Sequence, residues 1–363
     1  MSLLYQIALT KINGVGPVIA RQLLNYFPDP EGIFRATKKE LLAIPGIGNR
    51  LAEAVLDKQA LHAAENEIRF IEKHRINAFF RNDAGYPKRL EECPDAPILL
   101  YYKGNADLNA NRMVSIVGTR NATEYGKSIC NALIRDLQPY GVTVISGLAY
   151  GIDSYAHRNA LEYSVPTIGV LGHGLDRIYP SANRALAARM LEEGGLITEF
   201  TSGTNPDKQN FPMRNRIIAG LSDVTIVVEA ALKGGALITA EIANTYFRDV
   251  CAFPGNLDRE FSSGCNYLIK THRAHLITCA DDLAYLMNWV AMKSPPQKAL
   301  PVVVNLTSEE QQAYDLIQGA GQATVDELAR HLQWPQSKLA ITLLEMEIKG
   351  VVTALPGKVY RTL

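Results

Sequence analysis

The sequence has no C-x-x-C pair, no run approaching the roughly 18–20 apolar residues of a membrane span, and no surplus of charge of either sign. Its five cysteines, Cys93, Cys130, Cys251, Cys265 and Cys279, are odd in number and lack metal-ligand spacing. A disulfide framework and a zinc knuckle are therefore excluded, and buried thiols in a reducing compartment are expected. The N-terminus, MSLLYQIALTKINGVG, lacks the basic start and long apolar stretch of a secretion signal. A soluble, cytoplasmic protein with no membrane partner is expected. Lys+Arg and Asp+Glu both number 37, so no global field draws the chain to a polyanion, and any such site must be local. With 47% hydrophobic and 20% charged residues the chain can bury a core, and its 363 residues predict two or three domains.

The first 80 residues contain a duplication. Ile12-Asn13-Gly14-Val15-Gly16-Pro17 precedes a helical pattern through Ala20, Leu23 and Leu24, and Ile44-Pro45-Gly46-Ile47-Gly48-Asn49 precedes Leu51, Ala52 and Val55. Each half reads as helix, glycine hairpin and helix. Two glycines allow a sharp turn, and the next helix then presents unpaired backbone N–H groups that can seat a phosphate. The pattern resembles the helix-hairpin-helix motif of sequence-independent DNA binders. A helical hairpin that only packs is the alternative, since Arg50 alone stands beside either turn.

From Met113 short apolar strands alternate with helical stretches, which predicts an open, mostly parallel sheet with helices on both faces. The expected strands are Met113–Val117, Thr143–Ser146, Thr167–Leu171, Leu196–Thr198, Val224–Val228, Val250–Phe253 and His275–Thr278. Ligands of such sheets gather at the carboxyl ends of the strands. The polar, proline-containing stretch Met292–Lys298 reads as a linker. Beyond it, helical patterns over Ser308–Gln318, Thr324–Leu332 and Gln336–Lys349 and a hairpin across Pro356-Gly357 predict a winged helix. Acids outnumber bases in that unit, which favours a protein contact over duplex reading, because Lys and Arg on phosphates dominate DNA affinity. The domains expected are 1–85, helical; 86–290, Rossmann-like; 291–305, linker; and 306–363, winged helix.

Four segments carry candidate chemistry. Gly118-Thr119-Arg120 follows a strand and precedes a helix, so the glycine can turn tightly and the arginine can reach a phosphate. The spacing is neither G-x-G-x-x-G nor Walker-type, so no nucleotide cofactor is expected. Ser146-Gly147-Leu148-Ala149-Tyr150-Gly151 permits close backbone approach to an anion; Asp153 and His157 follow, four apart on one helical face, read as a cap and an ordinary helix side chain before an acid–base pair. Lys208, Phe211, Arg214 and Arg216 set cations around an aromatic ring within nine residues, the combination that grips single strands by phosphate neutralisation and base stacking. The alternative is that Phe211 plugs a core and Asn215 and Arg216 make structural hydrogen bonds. Lys233-Gly234-Gly235 opens a helix and can cradle a phosphate.

Taken in order, Ser115-Ile116-Val117-Gly118-Thr119-Arg120, Ser146-Gly147-x-Ala149-x-Gly151-Ile152-Asp153, Tyr179-Pro180-x-x-Asn183, Asn210-Phe211-Pro212-x-Arg214-Asn215-Arg216, Gly234-Gly235-Ala236-Leu237-Ile238-Thr239-Ala240, Phe253-Pro254-Gly255 and Gly264-Cys265-Asn266-x-Leu268-Ile269 resemble the DNA-processing protein A family, DprA or Smf. The resemblance runs from about Tyr86 to Thr278, and the helical front and winged-helix tail match longer members. It implies a non-enzymatic single-stranded-DNA-binding protein of natural transformation, which protects incoming DNA, helps load the recombinase RecA and dimerises through its Rossmann-like domain. It puts the phosphate-gripping arginine at Arg120, the DNA-contacting lysine at Lys208 and the base-stacking ring at Phe211, and it adds Lys233, before the glycine pair, as a further basic contact. Ser181-Ala182 replaces a lysine found in some members, so little is expected of that loop.

A competing resemblance is to the phosphoribohydrolases that carry G-G-x-G-T-x-x-E, through Gly234, Gly235 and Glu241. Leu237 and Ile238 stand at the Gly-Thr positions and remove the small residues that a bound ribose phosphate needs.

Overall fold

The computed structural model describes residues 2–292, 306–349, 351–355 and 359–362. Most of the expected linker and the Pro356-Gly357 turn lie outside the described residues. The chain divides into two compact units, Met1–Met292 and Lys293–Leu363.

The first unit is built on nine strands: β1 (Asn77–Phe80), β2 (Leu99–Gly104), β3 (Met113–Val117), β4 (Thr143–Ser146), β5 (Thr167–Val170), β6 (Gly194–Thr198), β7 (Val224–Val227), β8 (Asp249–Ala252) and β9 (His275–Leu276). They lie in the order β1-β2-β6-β5-β4-β3-β7-β8-β9, and β3 to β9 are parallel wherever they pair. All seven expected strands are present to within two residues at each end. The antiparallel strands β1 and β2 are additions. β1 is only four residues long and grades from exposed to buried, and β2 is buried along most of its length, so neither shows the alternation that marks a half-exposed strand. Because β1 pairs with β2, the sheet takes in residues upstream of the boundary expected at residue 86.

Alternation along the central strands separates two cores. On β3, Met113 and Val117 face one core together with Ile217, Leu221, Ala240 and Leu268 of the covering helices, while Val114 and Ile116 face the other with Leu133, Ile134, Ala156 and Leu283. Buried polar groups on the strands find partners across the ladder: Ser115 Oγ donates to Thr225 Oγ1 at 2.8 Å. Four of the five cysteines are buried as expected, and Cys279 is exposed, a departure from the expectation of buried thiols. Burial raises the thiols of Cys130, Cys251 and Cys265 to about 12, leaving them inert.

The N-terminal helices form a layer whose core, including Ile7, Leu23, Leu41 and Val55, continues into Phe80, Leu99 and Tyr101 of the antiparallel strands. The duplication is geometric as well as sequential. Gly14 and Gly46 take φ of +84° and +80°, a left-handed conformation that strains residues with a Cβ, and each hairpin delivers the chain into a helix, Pro17–Tyr26 or Asn49–Leu56. The halves pack reciprocally: Gln22 donates to the Pro45 carbonyl in the second hairpin, while the first hairpin's Gly14 lies against Leu51.

The second unit has helices Ser308–Ala320, Val325–Leu332 and Gln336–Ile348 and a three-stranded sheet made by Ala323–Thr324, Val352–Leu355 and Val359–Thr362. Two capping boxes, Thr307 with Glu310 and Thr324 with Glu327, start its first two helices. This is the expected winged helix. No helix among the described residues is long and apolar enough to cross a membrane, and no His/Cys/Asp/Glu group among them is arranged to hold a metal.

Candidate nucleic-acid interface

The carboxyl ends of β3, β4 and β5 open on one rim. The loop after β3 is held from below by Glu229, a buried carboxylate just past the end of β7, which accepts from the Thr123 amide at 3.0 Å and from the Thr123 hydroxyl. The Glu229 carbonyl accepts from the Thr119 amide at 2.7 Å, and Thr123 caps the helix Glu124–Leu137. Gly151, at φ +75°, comes so close to this loop that a Cβ there would stand 2.2 Å from the Thr119 carbonyl oxygen. Gly118 and Thr119 are thereby half-buried and fixed, and Arg120 is the residue left exposed.

The second part comes from the segment after β6. Asn210 starts the helix Asn210–Leu221, its amide donating to the Asp207 carbonyl at 3.0 Å and its side chain to the Asn205 carbonyl at 3.0 Å. Lys208 is exposed, and Phe211 is half-buried at the helix start. The Arg120 guanidinium carbon lies 5.9 Å from the centroid of the Phe211 ring. Beside the same ring Tyr179, 48% exposed, stands with its centroid 6.0 Å away at an interplanar angle of 37°. Three loops thus bring a cation and two aromatic surfaces together. Tyr179 was legible only as part of the Tyr179-Pro180-x-x-Asn183 motif, and nothing in its spacing marked it as a neighbour of Phe211.

Four residues expected at the DNA surface, Ser146, Gly147, Arg214 and Arg216, lie inside the protein instead. Ser146 is fully buried, and its hydroxyl donates to the Ile116 carbonyl at 2.6 Å. Arg214, 4% exposed, donates from Nη1 to the carbonyls of Gly147 and Val170, tying the ends of β4 and β5 together. Arg216 donates to the Asp95 carbonyl and is ion-paired with Glu199, both side chains buried. From Arg214 onward the helix is enclosed between the sheet and its neighbours, so its charges must find partners inside the protein. The alternative reading, structural hydrogen bonds from Arg216, describes this part of the motif.

Burial lowers Arg214 to about 10, still cationic at neutral pH, with the nearby Asp153 opposing the shift. Asp153 itself is pushed up by burial against the pull of Arg214, and the Arg120 charge also acts on it. His157 is buried with Nδ1 2.7 Å from Thr167 Oγ1, whose hydroxyl donates to the Val144 carbonyl at 3.1 Å. The threonine oxygen must therefore accept, which puts the proton on Nδ1. Burial, aided by the Arg214 charge, depresses the imidazole to about 3. Asp153 and His157 are interior supports of the rim.

Gly147 is buried beneath Arg214, whereas Lys233, Gly234 and Gly235 are exposed at the start of the helix Gly235–Thr245, which packs beside Asn210–Leu221. Asn215 joins the two helices by donating to the Gly235 carbonyl at 3.3 Å. Arg89, Arg216 and Arg273 are each paired with a carboxylate, but Arg120, Lys208 and Lys233 have no such partner among the described residues. Glu241, the acid of the competing enzyme pattern, is bound to Arg273 at 2.5 Å. The rim therefore offers unpaired cations and open ring surface, the means to hold a chain of phosphates and bases.

Residues 77–288 match the family model described as DNA recombination-mediator protein A, residues 7–58 the SAM-like helix-hairpin-helix tandem, and residues 294–358 the DprA winged helix domain. Protein Smf of Synechocystis is 37% identical over 82% of this chain and 76% of that protein. The X-ray structure of DNA processing protein A from Streptococcus pneumoniae aligns with a TM-score of 0.68 at 34% identity, over 79% of this chain and 98% of that one. A structure of DNA processing protein A from Helicobacter pylori, described for its single-stranded DNA binding mode, aligns with a TM-score of 0.54 at 30% identity, over 60% of this chain and 98% of that one.

Proposed function

This chain belongs to the DNA recombination-mediator protein A family, DprA/Smf, and on that premise we propose that it binds single-stranded DNA along the rim formed by Arg120, Lys208 and Phe211. Arg120 and Lys208 neutralise phosphates, Phe211 stacks a base, and Lys233 with the exposed Gly234-Gly235 backbone extends the track. The observation that carries this reading is the convergence of Arg120 and Phe211 at 5.9 Å, with Tyr179 completing the aromatic surface. Ser146, Gly147, Arg214 and Arg216 act beneath the surface, holding strand ends and loops in place.

The role proposed is that of a non-catalytic cytoplasmic mediator that protects incoming single strands during natural transformation and helps load RecA on them. The engagement of Glu241 with Arg273 supports binding over nucleotide hydrolysis. A homodimer through the Rossmann-like domain is part of the same proposal. A second subunit on the same strand raises apparent affinity through effective concentration.

The winged helix is assigned to protein contact. Lys338 of its third helix and Lys349 at that helix's C-cap are bound to Glu309 and Glu310, while Ile341 and Leu344 are exposed on the helix. The test of the main proposal is anisotropy of labelled single-stranded and duplex oligonucleotides with the full chain across a salt series. Tight, salt-sensitive binding of the single strand is expected, and indifference between the two forms would remove the proposal.

A further inference from the structure

Glu67 belongs to the helix Gln59–His74 of the N-terminal layer and is only 4% exposed. Its partner is the segment that leads to Lys208. Oε1 and Oε2 accept from the Ser202 amide at 2.9 and 3.1 Å, and Oε2 accepts from the Ser202 hydroxyl at 2.6 Å. Beside it, Lys11 of the first helix donates to Thr201 Oγ1 at 2.5 Å, and burial lowers its pKa against the attraction of Glu67. From the sheet side, Asp176 accepts from the Gly203 amide at 3.0 Å, the Gly174 amide donates to the Thr204 carbonyl at 3.3 Å, and Arg177 binds the Asn205 side chain. Thr201 to Asn205 are thus held residue by residue, with the first two gripped by the helical layer.

We propose that Glu67 is a positioning residue for the single-strand grip, its carboxylate fixing from the N-terminal layer the backbone of the loop that presents Lys208 and Phe211. The inference rests on the single-strand reading of the rim. Hydrogen bonds to a buried carboxylate are stronger than neutral ones, and a loop held in its bound conformation loses less freedom on binding. The layer that the sequence offers as a DNA binder in its own right acts here as a brace. Coulomb repulsion gives the inference a distinctive sign: removing an acid near a phosphate track strengthens binding if charge alone matters, and weakens it if the acid holds the loop.

The test uses the full-length protein, a fluorescein-labelled oligothymidylate and three variants. Glu67→Gln removes the charge and one acceptor, and Ser202→Ala removes only the hydroxyl bond. Glu72→Gln makes the same change of charge at an exposed position of the same helix. Glu67→Gln is expected to weaken binding by about fivefold or more, Ser202→Ala in the same direction, with the salt slope unchanged because every phosphate keeps its cation. Glu72→Gln binds as wild type or tighter. Amide hydrogen exchange over residues 201–208 rises in Glu67→Gln at a Tm close to wild type. Wild-type or tighter binding by both loop variants overturns the inference. If the wild type itself does not bind, the single-strand reading fails, and unchanged loop exchange in Glu67→Gln then overturns the brace as well. If Glu67→Gln does not fold, Ser202→Ala decides by the same two readouts.

Discussion

The Arg120 guanidinium stands over the ring of Phe211, 5.9 Å from its centroid, although one residue follows strand β3 and the other opens the helix Asn210–Leu221. The arginine already rests on the surface proposed to receive a base. Binding a strand is then an exchange, in which the cation moves to a phosphate and the vacated face takes a nucleobase. Neither group has to leave the interior, which keeps the ordering cost low.

Replacing Arg120 or Lys208 by alanine is expected to weaken single-strand binding severely and to reduce the slope of log K against log salt by about 0.7 for each phosphate left without its cation. Because both side chains are exposed, thermal unfolding stays at the wild-type temperature. Titrations at several salt concentrations, paired with calorimetry, read both quantities.

Phe211→Ala is expected to cost about 1–3 kcal/mol of binding, the range for one stacked base, and to leave the salt slope unaltered. Phe211→Trp retains most of the affinity. Tyr179→Ala, on the neighbouring ring, weakens binding by less than Phe211→Ala. Anisotropy with a labelled homopolymer measures all three.

Arg216→Ala has a different signature. It leaves Glu199 buried without its partner, and loss of one member of a buried pair costs about 3–5 kcal/mol of stability. Urea denaturation should show the loss directly. Any loss of DNA affinity should follow the unfolded fraction, unlike the loss in Arg120→Ala.

His157 sets an acid limit. Its folded pKa of about 3 lies below the ordinary value of 6.5, so between those values the unfolded chain binds the extra proton. The stability it contributes is complete above pH 6.5 and declines as the pH falls toward 3, by about 2 kcal/mol from pH 7 to pH 5. A His157→Gln variant should show a shallower loss over the same interval, measured as urea midpoints at the two pH values.

If the rim binds rather than hydrolyses, nucleoside monophosphates incubated with the full chain release no free base, as chromatography would register. Release that Glu241→Gln abolishes would instead establish the phosphoribohydrolase reading.

The site was legible in the sequence where the chemistry is local. Glycine-bearing loops after apolar strands, and cations around Phe211, mark a phosphate-and-base track within short stretches of chain. The same local pattern misassigned Arg214 and Arg216, because a basic residue near an aromatic one looks alike whether its helix is open or enclosed. Strands β1 and β2 were hidden for a related reason: β1 is four residues long and grades from exposed to buried, and β2 is buried along most of its length, so neither leaves a period to detect.

What the sequence determined by itself was the order of elements, the winged-helix pattern, the duplicated hairpins and the kinds of side chain available at each strand end, since these depend on spacing and residue chemistry within a few positions. The tertiary structure decided which of those side chains reach water. It set Arg120 over Phe211 and Tyr179 beside it, sealed Arg214 against Gly147 and Val170, and clasped Ser202 from Glu67. Each of these pairings joins residues far apart along the chain, and burial and electrostatic environment are properties of what packs around a group, which no local window contains.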